Sequence, residues 1–231
     1  TKIFISNNQI KEYSNSATRE RHIQEIRKYL RIKPYNADAR HLLVQTIGQA
    51  ALTKDEPLDL INLAIEELIK NCYELPAFTT LNKAAVRIRG SVNRAYYREI
   101  FNSLSREFIE KTDKIVESAE DLTYTDWNKL KKESLSPTVN HLKEVVAQLT
   151  WLKEFEPATS SLKNIPYVKI KQFALEAKTM DANKLKEIEP YKRYALISSL
   201  IYIQSMSTTD DIAEMFIKRM MHIHKRGRDA L

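Results

Sequence analysis

The chain has 231 residues, with 37 Lys and Arg against 30 Asp and Glu, a formal net charge of +7, and 43% hydrophobic residues. That composition excludes a disordered chain and allows one large or two small globular domains. Three Gly exclude a glycine-loop nucleotide fold, and the single Cys72 excludes an internal disulfide framework or a multi-Cys metal site.

The predicted elements are all helical. Residues 1–15 are polar and irregular. A first helix is expected from Thr18 to Ile32, capped by Thr18, with Ile23, Ile26 and Leu30 as its buried stripe. Pro34 ends it. A second starts near Ala37 and buries Leu42, Leu43, Ile47 and Ala50. The break at Lys54-Asp55-Glu56-Pro57 places Pro at the start of a third helix, which carries Leu58, Ile61, Ile65 and Leu68. Leu75-Pro76-Ala77 separates it from a long helix over Thr80–Leu104. Further helices are expected at 105–118, 138–155, 166–178, 181–187, 190–206 and 209–226. Asp181, Ser207 and Thr208-Thr209 are the candidate caps. Segments Ser134–Pro137 and Phe155–Ser161 read as loops. Trp127, Trp151 and the set Met206, Met215, Met220 and Met221 read as core, and Cys72 as a buried thiol. The fold class is all-α, a multi-helix bundle of two helical subdomains over residues 16–106 and 107–231.

Ten of the 14 Arg lie in residues 1–108, where 17 basic side chains face 12 acidic ones. Arg is the better residue for phosphate forks and base edges. The 80–104 helix carries Lys83, Arg87, Arg94 and Arg98 at spacings of 4, 7 and 4. At about 100° per residue these fall within roughly 60° of one another. Gly90 shares their face, and Leu81, Ala84, Ala85, Ile88, Val92 and Ala95 form the opposite one. Glu99 belongs to the packed side, so no acid interrupts the cations. Such a rail suits a helix lying in or along a nucleic-acid groove; a solvated surface stripe on a core helix is the other reading. Thr79 and Thr80 at its start offer hydroxyl and backbone N–H groups to a phosphate. A second cluster, with Arg27 and Arg31, is interleaved with Glu20 and Glu25, and a solvated face explains it as well. Lys218-Arg219 and Lys225-Arg226 with Arg228 read as a solvated helix end.

Catalytic chemistry finds no anchor. His222 and His224, two residues apart, lie on different sides of a helix and make a poor metal pair. His22, His41 and His141 stand alone. No catalytic residue, metal ligand or cofactor site is assigned. No apolar run approaches the roughly 18 residues that span a membrane. A lone Cys fits a reducing, intracellular compartment. The chain begins at Thr1 and ends within a helical pattern, and is expected to be a piece of something larger.

The order of segments resembles the N-terminal region of the Tn-three family of replicative transposases. The resemblance is carried by Thr18-Arg-Glu-Arg-His22, Glu25 to Leu30, Pro34-Tyr35, Ile65-Glu-Glu-Leu68 and Glu74-Leu-Pro-Ala77. It continues through Thr80-Leu81, Arg94 to Arg98, Trp127, Leu130, Pro137 with Leu142, Pro190, Arg193 to Leu196, Asp210-Asp211 and Met215-Phe216-Ile217. It covers about residues 13–226. It implies a DNA-binding fragment that recognises the terminal inverted repeats of its transposon in a bacterial cytoplasm, on the nucleoid when bound. It also implies that an Asp-Asp-Glu metal site, with its Mg²⁺, lies in a domain absent here, as does the family's first small domain. A homodimer would arise through the full-length protein. The connector from Cys72 to Thr79 is longer than a helix-turn-helix turn of three to four residues, so the element is helix-turn-helix-like. The alternative function is a helical dimerisation or interaction scaffold with little DNA binding of its own.

Overall fold

The computed structural model describes residues 16–117, 126–132, 139–155 and 160–229. The expectations for residues 1–15 and for Ser134–Pro137 lie outside these residues, as does most of Phe155–Ser161. Among them the chain is all-α. The helices are α1 (Ser16–Leu30), α2 (Ala37–Ala51), α3 (Pro57–Lys70), α4 (Phe78–Ser103), α5 (Arg106–Glu117), α6 (Asp126–Lys131), α7 (Val139–Lys153), α8 (Tyr167–Thr179), α9 (Ala182–Glu187) and α10 (Pro190–Asp229). A 3-10 turn at Ser160–Asn164 precedes α8.

Two compact units share the chain. The first comprises residues 1–51 and 56–89, the second residues 52–55 and 90–231. The division falls inside α4.

In the first unit α2 packs on α3. Asn36 caps α2 by accepting a hydrogen bond from the Ala39 N–H at 3.0 Å. Ala39, Leu43, Ile47 and Ala51 then form an i, i+4, i+8, i+12 stripe against Leu60, Ile61, Ala64 and Leu68, all buried. Leu58, expected in that stripe, is 63% exposed, because the buried face of α3 starts two residues later. Lys33 and Tyr73 form an isolated parallel bridge, with Lys33 N–H to Cys72 O at 2.7 Å and Glu74 N–H to Lys33 O at 2.8 Å. The chain reaches that bridge from α1 and from α3 through Arg31 and Cys72, both at positive φ, 55° and 58°. For non-Gly residues this is an uncommon backbone region, used here to end a helix sharply. Cys72 is exposed, not buried, because the left-handed turn carries it out of α3.

α1 corrects two expectations. It starts at Ser16, so Thr18 lies within the first turn. Its stripe is not buried: Ile26 and Leu30 are exposed, since no described element covers that side of the helix.

The second unit holds one large core. Tyr97, Ile100, Phe108, Trp127, Leu130, Leu152, Phe155, Phe173 and Leu185 surround the α10 residues Ala195–Leu196-Ile197 and Leu200-Ile201. Tyr97 meets Phe173 at 4.7 Å between ring centroids, and Phe155 takes Phe108 and Trp151 edge-on at 6.0 and 5.7 Å. Helix ends inside the core are satisfied by side chains. Trp127 Nε1 and Lys131 Nζ both donate to Met180 O at 3.1 Å, and Gln204 Nε2 donates to Leu130 O at 2.7 Å. Burial draws the Lys131 ammonium below its ordinary pKa. Asp181 caps α9 as expected, accepting from Lys184 N–H at 2.8 Å.

The expected break between 206 and 209 does not occur; α10 runs unbroken for 40 residues. No Gly or Pro interrupts it there. Thr209 Oγ1 turns back to donate to Ser205 O at 2.8 Å, and Thr208 is buried, so neither hydroxyl competes for a helix start. Of the four methionines read as core, Met215 is buried, whereas Met206, Met220 and Met221 are exposed. Trp127 is buried as expected and Trp151 half-buried. The short α6 and the 3-10 turn are the elements not expected from the sequence.

Candidate nucleic-acid interface

α4 is 26 residues long, about 39 Å at 1.5 Å per residue. Pro76 and Ala77 precede it, and Thr80 N–H and Leu81 N–H fold back on Ala77 O at 2.8 and 3.3 Å. Thr79 and Thr80 therefore occupy the first turn, exposed, at the positive end of the helix dipole.

Lys83 and Arg87, in the first unit, are exposed; so are Arg94 and Arg98 in the second. The buried face of the helix differs between the two. In the first unit it holds Leu81 and Ala85; in the second it holds Tyr97 and Ile100, about 100° further round. The basic stripe remains outside in both. The rotation corrects two expectations: Ala95 and Glu99, assigned to the packed side, are exposed. Gly90 is open as expected, since a Cβ there would meet nothing within 4 Å.

The four cations differ in their surroundings. Arg98 lies over the Tyr191 ring at 5.5 Å. The Tyr191 phenol is raised above its ordinary pKa chiefly by a hydrogen bond to Glu189, with Arg98 acting in the opposite direction. Arg98 thus has an intramolecular role. Lys83, Arg87 and Arg94 carry no ion pair among the described residues.

The second-tier cluster separates. Arg27 Nη2 contacts both carboxylate oxygens of Glu74 at 2.6 Å, and this hydrogen bond is the main cause of its raised pKa. It pins α1 beside the Lys33–Tyr73 bridge. Arg31 is exposed in the left-handed turn after α1.

A polar cluster absent from the sequence reading sits inside the second unit. Lys169 on α8 is wholly buried. It donates to Asp55 Oδ1 at 2.7 Å and to Asn93 Oδ1 at 2.9 Å, while Asn93 Nδ2 donates to Asp55 Oδ1 at 3.0 Å. The four-residue connector 52–55 is further held by Tyr96 Oη, which donates to Leu52 O at 3.2 Å. A signal for this cluster exists: Lys169, Phe173 and Ala177 share one helical face, so a lone Lys stands on an apolar stripe.

Among the described residues, no three His, Cys, Asp or Glu side chains are grouped to hold a metal ion. No described helix is long and apolar enough to cross a membrane.

Comparison with known proteins gives two kinds of match. A family model described as a domain of unknown function, DUF4158, matches residues 1–88, ending one residue before the first unit does. The chain is 24% identical over 200 residues to the transposase for transposon Tn501 of Pseudomonas aeruginosa, covering 86% of this chain and 20% of that protein. It is 20% identical over 213 residues to the transposase for transposon Tn1546 of Enterococcus faecium, covering 90% of this chain and 21% of that one. The chain spans about a fifth of the length of these curated relatives.

Proposed function

We propose, from the premise that this chain belongs to the Tn-three family of transposases and matches their N-terminal region, that it binds the terminal inverted repeats of its transposon as double-stranded DNA. The observation that carries the reading is the exposed, acid-free stripe of Lys83, Arg87 and Arg94 on one helix. Three cations over roughly three turns follow a phosphate backbone, and the first turn of α4 adds the exposed Thr79 and Thr80 hydroxyls. Arg98 assists at the margin, since its guanidinium is shared with Tyr191. Arg27 orders the first unit, and Arg31 is available at its surface. Strand transfer chemistry, with the metal it needs, belongs to another part of the transposase.

The test is fluorescence anisotropy with a terminal-repeat duplex and a scrambled duplex across a salt series. Each neutralised phosphate steepens the log–log slope by about 0.9. The wild-type chain prefers the repeat with a steep slope, and the double reversal Arg87→Glu/Arg94→Glu flattens that slope by about two. Undiminished binding by the double variant would overturn the assignment of the stripe.

A second reading, a helical scaffold, is favoured by the exposed apolar side chains at the end of α10. It requires a chain that self-associates and binds both duplexes equally weakly.

A further inference from the structure

α10 changes character along its length. Every residue from Tyr194 to Ile201 is buried. Burial then narrows to Gln204, Thr208 and Met215, which lie within about 40° of one another round the helix. Past Met215 no described residue is buried.

The exposed apolar residues do not continue that stripe. Met206, Ala213, Phe216, Met220 and Ile223 follow spacings of 7, 3, 4 and 3, the a/d pattern of a heptad seam. This seam lies about 130° round from the buried stripe. Phe216 is 62% exposed and Ile223 54%, with Ile217 and Met221 exposed beside them. A seam on the side of the helix away from the core is a separate apolar surface, and contiguous apolar exposure of this kind marks an interaction site.

Asp210, Asp211 and Glu214 lie beside its first half, but from Phe216 onward its flanks carry one sign of charge. Residues 215–228 contain Lys218, Arg219, Lys225, Arg226 and Arg228 and no acid. Lys218 pairs back to Glu214; the others have no ion pair among the described residues. Arg219 immediately precedes the seam residue Met220 and Arg226 lies one heptad further on, in the flank position where coiled-coil helices place the charges that select a partner. A second copy of this chain would bring five more positive charges over the same stretch and no negative ones, which like-charge repulsion disfavours. A DNA duplex would satisfy the cations but leave the seam in water.

We infer that α10 from Phe216 onward is a docking helix for a partner helix bearing an apolar heptad seam with acidic flanks. The seam supplies the buried area, and Arg219 and Arg226 set the partner's sign.

The experiment uses the full chain and two labelled three-heptad peptides with apolar a and d positions, one with Glu at e and g, the other with Lys there. Neither peptide self-pairs, because its flanks repel. The Glu peptide binds about tenfold tighter than the Lys peptide at low salt, the sum of several flank pairs. Phe216→Ser/Met220→Ser abolishes binding without shifting Tm, since both side chains are exposed. Arg219→Glu/Arg226→Glu inverts the peptide preference. Equal affinity for both peptides, or Glu-peptide binding untouched by the Phe216/Met220 change, would overturn the inference. So would a concentration-dependent dimer abolished by that change, which assigns the seam to a second copy. Loss of duplex binding in Arg219→Glu/Arg226→Glu, with no peptide bound by the wild type, assigns the helix end to DNA.

Discussion

Lys169 and Arg87 are cations on helices of one chain, placed in opposite surroundings. Lys169 is wholly buried, with the Asp55 carboxylate at 2.7 Å and the Asn93 carbonyl at 2.9 Å. Arg87 stands in water on a helix face with no acid beside it. The first charge is part of the architecture, because its partners are fixed and solvent cannot replace them. The second contributes little to folding and keeps its hydrogen-bonding capacity for another molecule. Surface charge count therefore says less about function than the list of cations left without an internal counter-ion.

Stability measurements break or sharpen this contrast. The largest effect belongs to Lys169→Met, which leaves the Asp55 carboxylate buried without the ammonium that balances its charge and lowers unfolding free energy by about 3–5 kcal/mol in urea melts. Adding Asp55→Asn recovers part of that loss, as a coupled pair requires. A loss below about 1 kcal/mol for the single variant would make Lys169 no different from a surface residue.

Next comes the buried phenol of Tyr194, which donates to Asp113 Oδ1 at 2.8 Å. Burial, then this hydrogen bond, pushes its pKa up to about 12. With the folded value above the ordinary 10, the stabilisation is complete below pH 10 and is lost as pH rises toward 12. Unfolding free energy should fall by about 1–3 kcal/mol over that window, and Tyr194→Phe should show a flatter fall in parallel urea titrations.

Arg27→Gln comes third. It removes a two-oxygen contact that is partly exposed, so thermal melts should move down modestly, and less at high salt. The smallest stability effect belongs to Arg87→Glu/Arg94→Glu, within about 0.5 kcal/mol of wild type, although the same pair carries the largest change in the duplex salt slope. A stripe variant that melts early would show these cations to be structural.

Helix positions were legible wherever apolar spacing and punctuation agreed. Pro57 opens α3, Asp181 caps α9, and Leu43, Ile47, Ile61 and Leu68 are buried as their spacing requires. The spacing of Ile26 and Leu30 is equally good, yet both are exposed, because periodicity states which side of a helix is apolar and not whether anything covers it. Thr208 and Thr209 look like caps in one dimension; in the helix their hydroxyls find i−4 carbonyls or the interior. The exposure of Lys83, Arg87 and Arg94 followed from helical angles alone. The engagement of Arg98 by Tyr191 and of Arg27 by Glu74 did not, since each joins residues 47 to 93 positions apart. Lys169 was the most informative residue missed: the helix over 166–178 was expected, but its Lys was not set against the apolar face that Phe173 and Ala177 share with it.

The Asp55–Lys169 pair also sets an order of events. The partners lie 114 residues apart. At roughly 5–20 residues per second of synthesis, Asp55 is made about 6–23 s before Lys169. Through that interval the connector between α2 and α3 is a solvated loop, although both helices already have their mutual core. The second unit receives its counter-ion from chain made long before its own helix α8. A nascent chain that stops short of residue 169 would hold a finished helix pair with an unanchored loop, open to a protease. Completion of α8 is the moment at which that loop is locked.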